Sequence, residues 1–268
     1  MLTLRLQWAF LLREARVEGS HPGALATRVI AAIGSVLVFF FIARALRGAA
    51  AAGLGPYDTS YFAFAVVGLA LLGYLGHGVG AMASGLRESQ AAGTLELLVL
   101  SPARTSVLLL CSSLAGYPLA AVSLVVYLGT GVALGVDLGA ANVAVALLTV
   151  ALATASFAAL GVLVASVVFV STRGNPAAWA VRTGSLVLGG VFYPVTVLPE
   201  ALQVAGQALP LTHALEALRG SLLLGQGLAE LWPSLLALAG ITAVLLPLSL
   251  AACMATLRIA RTDGSLRP

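Results

Sequence analysis

The chain contains no lysine, because all 14 of its basic residues are arginine. The nucleotide-binding loop of Walker-type ATPases needs a lysine that reaches the phosphates of the nucleotide, so this chain is not an ATPase of that kind. Cysteine is also scarce. Cys111 and Cys253 lie far apart in apolar segments, and with the three histidines they form no metal-ligand spacing. We therefore expect no catalytic residue, cofactor or metal in this chain, and it is not predicted to be an enzyme.

Charged residues make up only 9% of the chain, whereas soluble domains carry roughly 25%. Hydrophobic residues make up 60%, and the mean hydropathy is +1.04. A membrane β-barrel would show segments of ~10 residues with alternating polarity. The apolar runs of this chain are instead long and continuous, which predicts an all-α integral membrane protein.

We expect residues 1–268 to form a single transmembrane domain with six spans. Residues 1–23, which precede the first span, are predicted to form an amphipathic helix on the membrane surface. Spans 3 and 4 exceed the ~20 residues that a bilayer requires, so tilt or protrusion is expected. In chain order, the six spans are predicted at about Thr27–Ala45, Ser60–Ala83, Ser106–Gly135, Asn142–Val170, Ala178–Tyr193 and Pro233–Leu257.

Arginine placement predicts the orientation of the spans, because cytoplasmic loops carry an excess of basic residues. With the N-terminus in the cytoplasm, three arginines fall on the outer side: Arg44, Arg47 and Arg219. Eleven fall on the inner side: Arg5, Arg13, Arg16, Arg28, Arg87, Arg104, Arg173, Arg182, Arg258, Arg261 and Arg267. We therefore expect both termini in the cytoplasm and, from the composition, a bacterial inner membrane. The basic balance is explained by the lipid bilayer, not by nucleic acid.

Residues 86–102, LRESQAAGTLELLVLSP, form a polar island between spans 2 and 3. The island is too polar to span a bilayer, although Leu95, Leu98 and Val99 fall at helical spacing. One interpretation is a solvated linker. The other is a cytoplasmic surface helix that docks onto a soluble partner.

Residues 194–224 are semi-apolar but are interrupted by Pro194, Pro199 and Pro210. Each half is too short to span, so we predict two short helices that dip into the outer leaflet as a re-entrant segment. His213, Glu216 and Arg219 are spaced three apart and share a helix face. They are interpreted either as structural pairing or as part of a gate or substrate contact.

Two stretches resemble the ABC-2 type exporter permeases, with the closest similarity to the drug, polyketide and lipo-oligosaccharide branch. The first is Glu88–Pro102, which contains Gly93-Thr94-Leu95-Glu96 and Ser101-Pro102. The second contains Gly190-Val191-Phe192-Tyr193-Pro194, Leu198-Pro199 and Pro210–Arg219 (PLTHALEALR). The six-span layout also agrees, so the resemblance covers essentially the whole chain.

The resemblance implies a permease subunit whose ATP and Mg²⁺ are bound by a separate cytoplasmic ATPase subunit. A second copy of the chain, or a paralogous permease, would complete the pathway. The ATPase would contact a coupling helix in residues 86–102, through Arg87, Glu88, Thr94, Leu95, Glu96 and Leu98. The outer gate or re-entrant segment would use Tyr193, Pro194, His213, Glu216 and Arg219.

We therefore expect an ATP-driven exporter subunit that forms the translocation pathway, with spans 1, 2 and 5 as its wall. Few charges lie in the spans, which favours a lipid, a lipid-linked glycan or an amphipathic drug-like substrate. An ion-coupled secondary transporter would place ionisable groups near the bilayer midplane, and none is predicted at the centre of a span. A non-catalytic membrane assembly factor is a further alternative.

Overall fold

The computed structural model describes residues 22–45, 60–91, 113–170 and 176–262. Regular secondary structure within these ranges is entirely helical. A 3-10 turn, Val195–Val197, lies between the fifth and sixth α-helices. The α-helices are α1 (Pro22–Ala45), α2 (Tyr61–Ala91), α3 (Tyr117–Ala133), α4 (Val143–Val170), α5 (Pro176–Leu188), α6 (Glu200–Gln207), α7 (Pro210–Leu223) and α8 (Leu228–Thr262).

Four helical segments of the described chain are long and apolar enough to cross a membrane. Within α2, the apolar part is the shorter stretch Tyr61–His77, and α5 has only 13 residues. Large apolar side chains such as Ile30, Phe41 and Val125 are exposed on the outside of the helices, which suits contact with lipid. The four segments are Ala26–Ala45, Ser113–Ala133, Val143–Val167 and Leu228–Thr256.

Helix α2 is at the centre of the fold, where it packs against α1, α3, α4, α5 and α7. Phe64, Leu71 and Leu75 of α2 are fully buried. The Tyr74 hydroxyl lies 2.6 Å from the Thr154 hydroxyl of α4. Because lipid is as apolar as a protein core, close packing and such interhelical hydrogen bonds hold the helices together in a bilayer.

The most extensive helix pair joins α4 to α8. The Ser156 hydroxyl of α4 is hydrogen-bonded to the Thr242 hydroxyl of α8, and both side chains are buried. Phe157 and Leu238 are fully buried in the same cluster, which also includes residues of α2 and α7. This cluster is the main core of the described structure, and it fixes the position of α7 relative to α2.

Spans 1, 5 and 6 differ from the observed helices. Helix α1 begins at Pro22, not at about Thr27, and so includes the last two residues of the predicted amphipathic segment, 22 and 23. Span 5 was expected to reach Tyr193, but α5 ends at Leu188 because Gly190 adopts φ +72°, a conformation that favours glycine and turns the chain. Span 6 was expected to start at Pro233, but α8 begins at Leu228, after Gly225 at φ +66°, and contains Pro233 in its second turn.

The predicted boundary between span 2 and the helix in residues 86–102 also differs from the structure. Span 2 was expected to end at Ala83, but α2 continues without a break to Ala91, since residues 84–91 contain no proline and only one glycine, Gly85. Residues 92–112 lie outside the described residues, as does the predicted amphipathic helix up to residue 21. Span 4 and α4 agree within one residue at either end.

Replacement of Phe157 by Ala should leave a cavity in the main core and destabilise the protein by about 4 kcal/mol. For a chain of this size the thermal midpoint in detergent should fall by about 10 °C. Phe41→Ala is the matched control, because Phe41 lies on the exposed face of α1 and is 62% exposed. Equal losses of thermal stability in the two variants would contradict this assignment of the core.

Candidate functional site

The chain between α5 and α8, residues 189–227, is called the connecting segment below. Its α6 and α7 are separated by a tight turn in which the Thr212 hydroxyl donates to the carbonyl of Gly206 at 2.6 Å. Pro210 occupies the first turn of α7, where its missing N–H costs nothing. The Gln203 amide donates to the carbonyls of Thr196 and Leu198, which holds α6 against the 3-10 turn.

Helix α7 is short but deeply buried, with contacts to α2, α4 and α8. Its 14 residues extend about 21 Å, less than the ~30 Å hydrocarbon thickness of a bilayer. Leu211, Leu215 and Leu218 are almost fully buried against the main core. Helix α7 therefore packs as an inserted helix that cannot cross the membrane by itself.

Arg219 of α7 is only 3% exposed, and its guanidinium binds backbone carbonyls from two other parts of the fold. One terminal nitrogen, Nη1, donates to Gly190 O at 2.9 Å. The other, Nη2, donates to Val191 O at 2.7 Å and to Phe64 O at 3.2 Å. The guanidinium carbon also lies 3.4 Å from the centroid of the Phe64 ring. Carbonyl dipoles and the ring face thus stabilise a buried positive charge.

This set of contacts, called the Arg219 clamp, joins α7 to α2 and to the turn that follows α5. The clamp needs a glycine at residue 68. A Cβ there would collide with the Val191 carbonyl oxygen and lie 2.9 Å from Arg219 Nη2. The close approach of the turn to α2 therefore depends on Gly68, while the path of the turn depends on Gly190 at φ +72°.

His213 and Glu216 form a separate polar pair on α7. His213 Nδ1 lies 3.8 Å from Glu216 Oε2, and His213 Nε2 lies 2.8 Å from the Gln207 carbonyl oxygen. Because that carbonyl can only accept, Nε2 carries a proton, and a second proton would sit on Nδ1 facing the carboxylate. The Ser234 hydroxyl of α8 donates to Glu216 at 3.2 Å. Glu216, and secondarily the Gln207 carbonyl, raise the pKa of His213 above its usual value, against the effect of burial.

The sequence placed three residues on one face, but the structure separates them into two groups. His213 and Glu216 come together, whereas Arg219 turns into the core and binds backbone atoms of Phe64, Gly190 and Val191. Arg219 and Glu216 do both line a cavity of about 340 Å³ between the connecting segment and the start of α8.

The other two residues predicted for this segment, Tyr193 and Pro194, lie in the turn after α5. The Tyr193 hydroxyl donates to the Val187 carbonyl, and Pro194 is the extended residue before the 3-10 turn and lines the same cavity. Sequence reasoning missed Gly68 and Phe64, which complete the clamp. Their i, i+4 spacing in an apolar run indicates one helix face but does not name the partner of that face.

The residues predicted to contact an ATPase cannot be placed in the same way. Arg87 and Glu88 belong to the backbone of α2, but their side chains lie outside the described part of the structure. Thr94, Leu95, Glu96 and Leu98 lie outside the described residues. Within the described ranges, no group of three or more His, Cys, Asp or Glu side chains could hold a metal ion.

Comparison with known proteins identifies the family. The model of the ABC-2 type transporter family matches residues 7–223, which include α1 to α7 and the whole Arg219 clamp. The chain belongs to the ABC-2 type transporter family. It is therefore a transmembrane transporter subunit of the permease type, and membership in general implies an ATP-binding cassette ATPase partner and a dimer of membrane subunits. No curated protein sequence matches the chain significantly.

Replacement of Arg219 by Gln should destabilise the protein by about 3 kcal/mol, because buried carbonyls lose their donors. Arg219→Lys should be more stable than Arg219→Gln but less stable than the wild-type chain, since an ammonium cannot reproduce the planar guanidinium fork. Arg44→Gln, at an exposed arginine of α1, is the control and should change the thermal midpoint little. If Arg219→Gln melts like that control in detergent, the clamp does not hold the connecting segment.

Replacement of Glu216 by Gln should lower the pKa of His213, since it removes the main cause of the upward shift. The chain has three histidines, so ring-labelled histidine can be titrated by NMR in nanodiscs, and the signals of His21 and His77 should not move. The folded-state pKa of His213 is raised. The stability that it confers is therefore fully present below the unfolded-state value of about 6.5 and is lost as the pH rises through the folded-state pKa. If the wild-type chain is more stable than Glu216→Gln by a margin that increases at alkaline pH, the pairing of His213 with Glu216 is refuted.

Proposed function

We propose that this chain is the membrane-spanning permease subunit of an ATP-binding cassette exporter, driven by a separate cytoplasmic ATPase that binds ATP and Mg²⁺. The observation that carries the proposal is the family match over residues 7–223, which includes the Arg219 clamp. A second copy of the chain, or a paralogous permease, completes the pathway.

The proposed topology has six spans. The four long apolar segments supply four of the spans, and α2 and α5 supply the other two. Helix α5 is short, and the turn at residues 189–193 extends it. Helices α6 and α7 then form the re-entrant segment at the outer side, where the burial of α7 satisfies its polar groups away from lipid. The arginine distribution supports cytoplasmic termini. The bacterial inner membrane is proposed from the composition, whose basic residues are all arginine.

Helix α2 supplies a direct route for force. Its 31 residues extend about 46 Å as one continuous helix. Near its start, Phe64 and Gly68 meet the Arg219 clamp, and its end at Ala91 lies inside the proposed coupling segment, residues 86–102. Closure of the ATPase would push on Arg87, Glu88, Thr94, Leu95, Glu96 and Leu98, and α2 would carry that displacement to the outer side.

The proposed substrate is a lipid, a lipid-linked glycan or an amphipathic drug-like molecule. The observation in favour is the apolar character of the helices that would form the wall, since α1 has no charged residue between Arg28 and Arg44 and α2 has none in Tyr61–His77. Helices α1, α2 and α5 are the proposed wall, with α2 and α5 separated by an open groove of about 260 Å³. Such a wall does not suit a small, highly charged, soluble substrate.

The proposal is tested by affinity purification of the wild-type chain and of its Glu96→Arg variant from the native membrane. The wild-type chain should bring down an ATPase in stoichiometric amounts and show nucleotide hydrolysis. Glu96→Arg should lower the amount of retained ATPase about tenfold, a loss of about 1.4 kcal/mol in binding free energy. The matched control is Glu200→Arg, because Glu200 is exposed at the start of α6, on the proposed outer side of the membrane. A wild-type chain that retains no ATPase would overturn the exporter assignment and favour ion-coupled transport.

A further inference from the structure

The groove between α2 and α5 contains a positively charged side chain, Arg182, which forms no ion pair within the described part of the fold. Its floor on α2 is formed at Gly76 and Gly80, and its α5 side by Ala178, Trp179 and Arg182. The groove has a volume of about 260 Å³ and opens to the surroundings of the protein. It is separate from the cavity beside the Arg219 clamp, and it shares no residue with it.

Arg182 is the middle residue of α5 and is exposed, unlike Arg219. Its stem lies over Gly76, where a Cβ would be 3.8 Å from Arg182 Cδ and 3.7 Å from Nε. Among the described residues, no acidic side chain lies within ion-pair distance of its guanidinium and no carbonyl accepts from it. An arginine inside an apolar helix of a membrane protein requires an anionic or polar partner, so its partner comes from outside these residues.

The depth of Arg182 follows from the proposed orientation. Arg182 is six residues after Pro176, a distance of about 9 Å along the helix axis from the cytoplasmic end of α5. Helical side chains lean toward the helix N-terminus, and a long arginine stem lets its guanidinium reach the interface. Trp179 is 70% exposed and one turn closer to Pro176, as suits an interfacial tryptophan. The guanidinium of Arg182 thus lies near the level of the inner-leaflet phosphates.

We propose that this groove binds the phosphate head of an amphipathic lipid from the inner leaflet, with Arg182 as the anion-binding group. The inference rests on the proposed function for its orientation and for a lipid-like ligand. A planar guanidinium donates two parallel hydrogen bonds to a phosphate. The glycine floor at Gly76 and Gly80 leaves room for the head, while the exposed ring of Trp179 offers apolar surface to the first carbons of the tails.

The probe is a photoreactive diacyl phosphatidic acid, compared with a photoreactive diacylglycerol that has identical tails. The complex purified from native membranes is placed in phosphatidylcholine nanodiscs without nucleotide, and labelled peptides are mapped. Phosphatidic acid should label residues 75–80 and 176–182 about tenfold more than diacylglycerol, which corresponds to about 1.4 kcal/mol. Arg182→Gln should abolish this preference, and Arg182→Lys should retain part of it because the charge is kept.

Two further variants test whether labelling depends on the groove or on surface charge in general. Arg28→Gln removes an arginine of α1 on the same proposed side of the membrane and should label like the wild-type chain. Gly76→Leu leaves every charge in place but fills the floor of the groove beside Arg182, and it should lower labelling as strongly as Arg182→Gln. Thermal midpoints measured in parallel show whether each variant is folded.

Four results would overturn the inference. Equal labelling by the two probes would mean that the phosphate is not recognised, as would wild-type labelling of a folded Arg182→Gln variant. Displacement of phosphatidic acid by inorganic phosphate would identify a site for a soluble anion. A disulfide between two chains that carry Arg182→Cys would identify a second copy of the chain as the occupant. Because labelling requires neither ATP nor the ATPase, failure of the exporter assignment would appear only in the Glu96→Arg experiment.

Discussion

The burial of the Arg219 guanidinium is the constraint on which the arrangement of the helices depends. A buried cation needs acceptors to offset the loss of water, and here the acceptors of its two terminal nitrogens are backbone carbonyls of α2 and of the turn after α5. Backbone acceptors can be provided only if the main chains come close. Gly68 permits that approach, and the φ of +72° at Gly190 directs the turn toward it. The buried charge, the two glycines and the aromatic ring of Phe64 therefore depend on one another for their positions.

Two arginines of this fold differ in burial, and the difference separates a structural role from a ligand-binding role. Arg219 is 3% exposed and donates to three carbonyls, so its charge is used to hold the fold together. Arg182 is exposed at the centre of a 13-residue helix and faces an open groove. Since the same side chain costs free energy in lipid unless it finds an anion, the second arginine is the one suited to an external ligand.

How far the sequence predicts this structure depends on whether the decisive signal is local. Helix α4 was placed within one residue because its apolar run has clear ends, at Asn142 and before Gly174-Asn175-Pro176. The end of α5 was missed because the turn at Gly190 is stabilised by Arg219, 29 residues away in the chain. Periodicity placed His213, Glu216 and Arg219 on α7 and anticipated the first pair. It could not show that Arg219 turns toward Phe64, since that choice is made by packing against α2.

The clamp also limits how the proposed transporter can move. Arg219 ties α7 and the turn after α5 to the start of α2, and the continuous helix α2 leads to the segment where the ATPase is proposed to bind. A push on one end of α2 therefore moves these elements together, because separating them would strip a buried charge of its acceptors. An opening for substrate must then form where no such clamp exists. The proposed boundary between two permease subunits meets that condition, since the clamp lies within one chain.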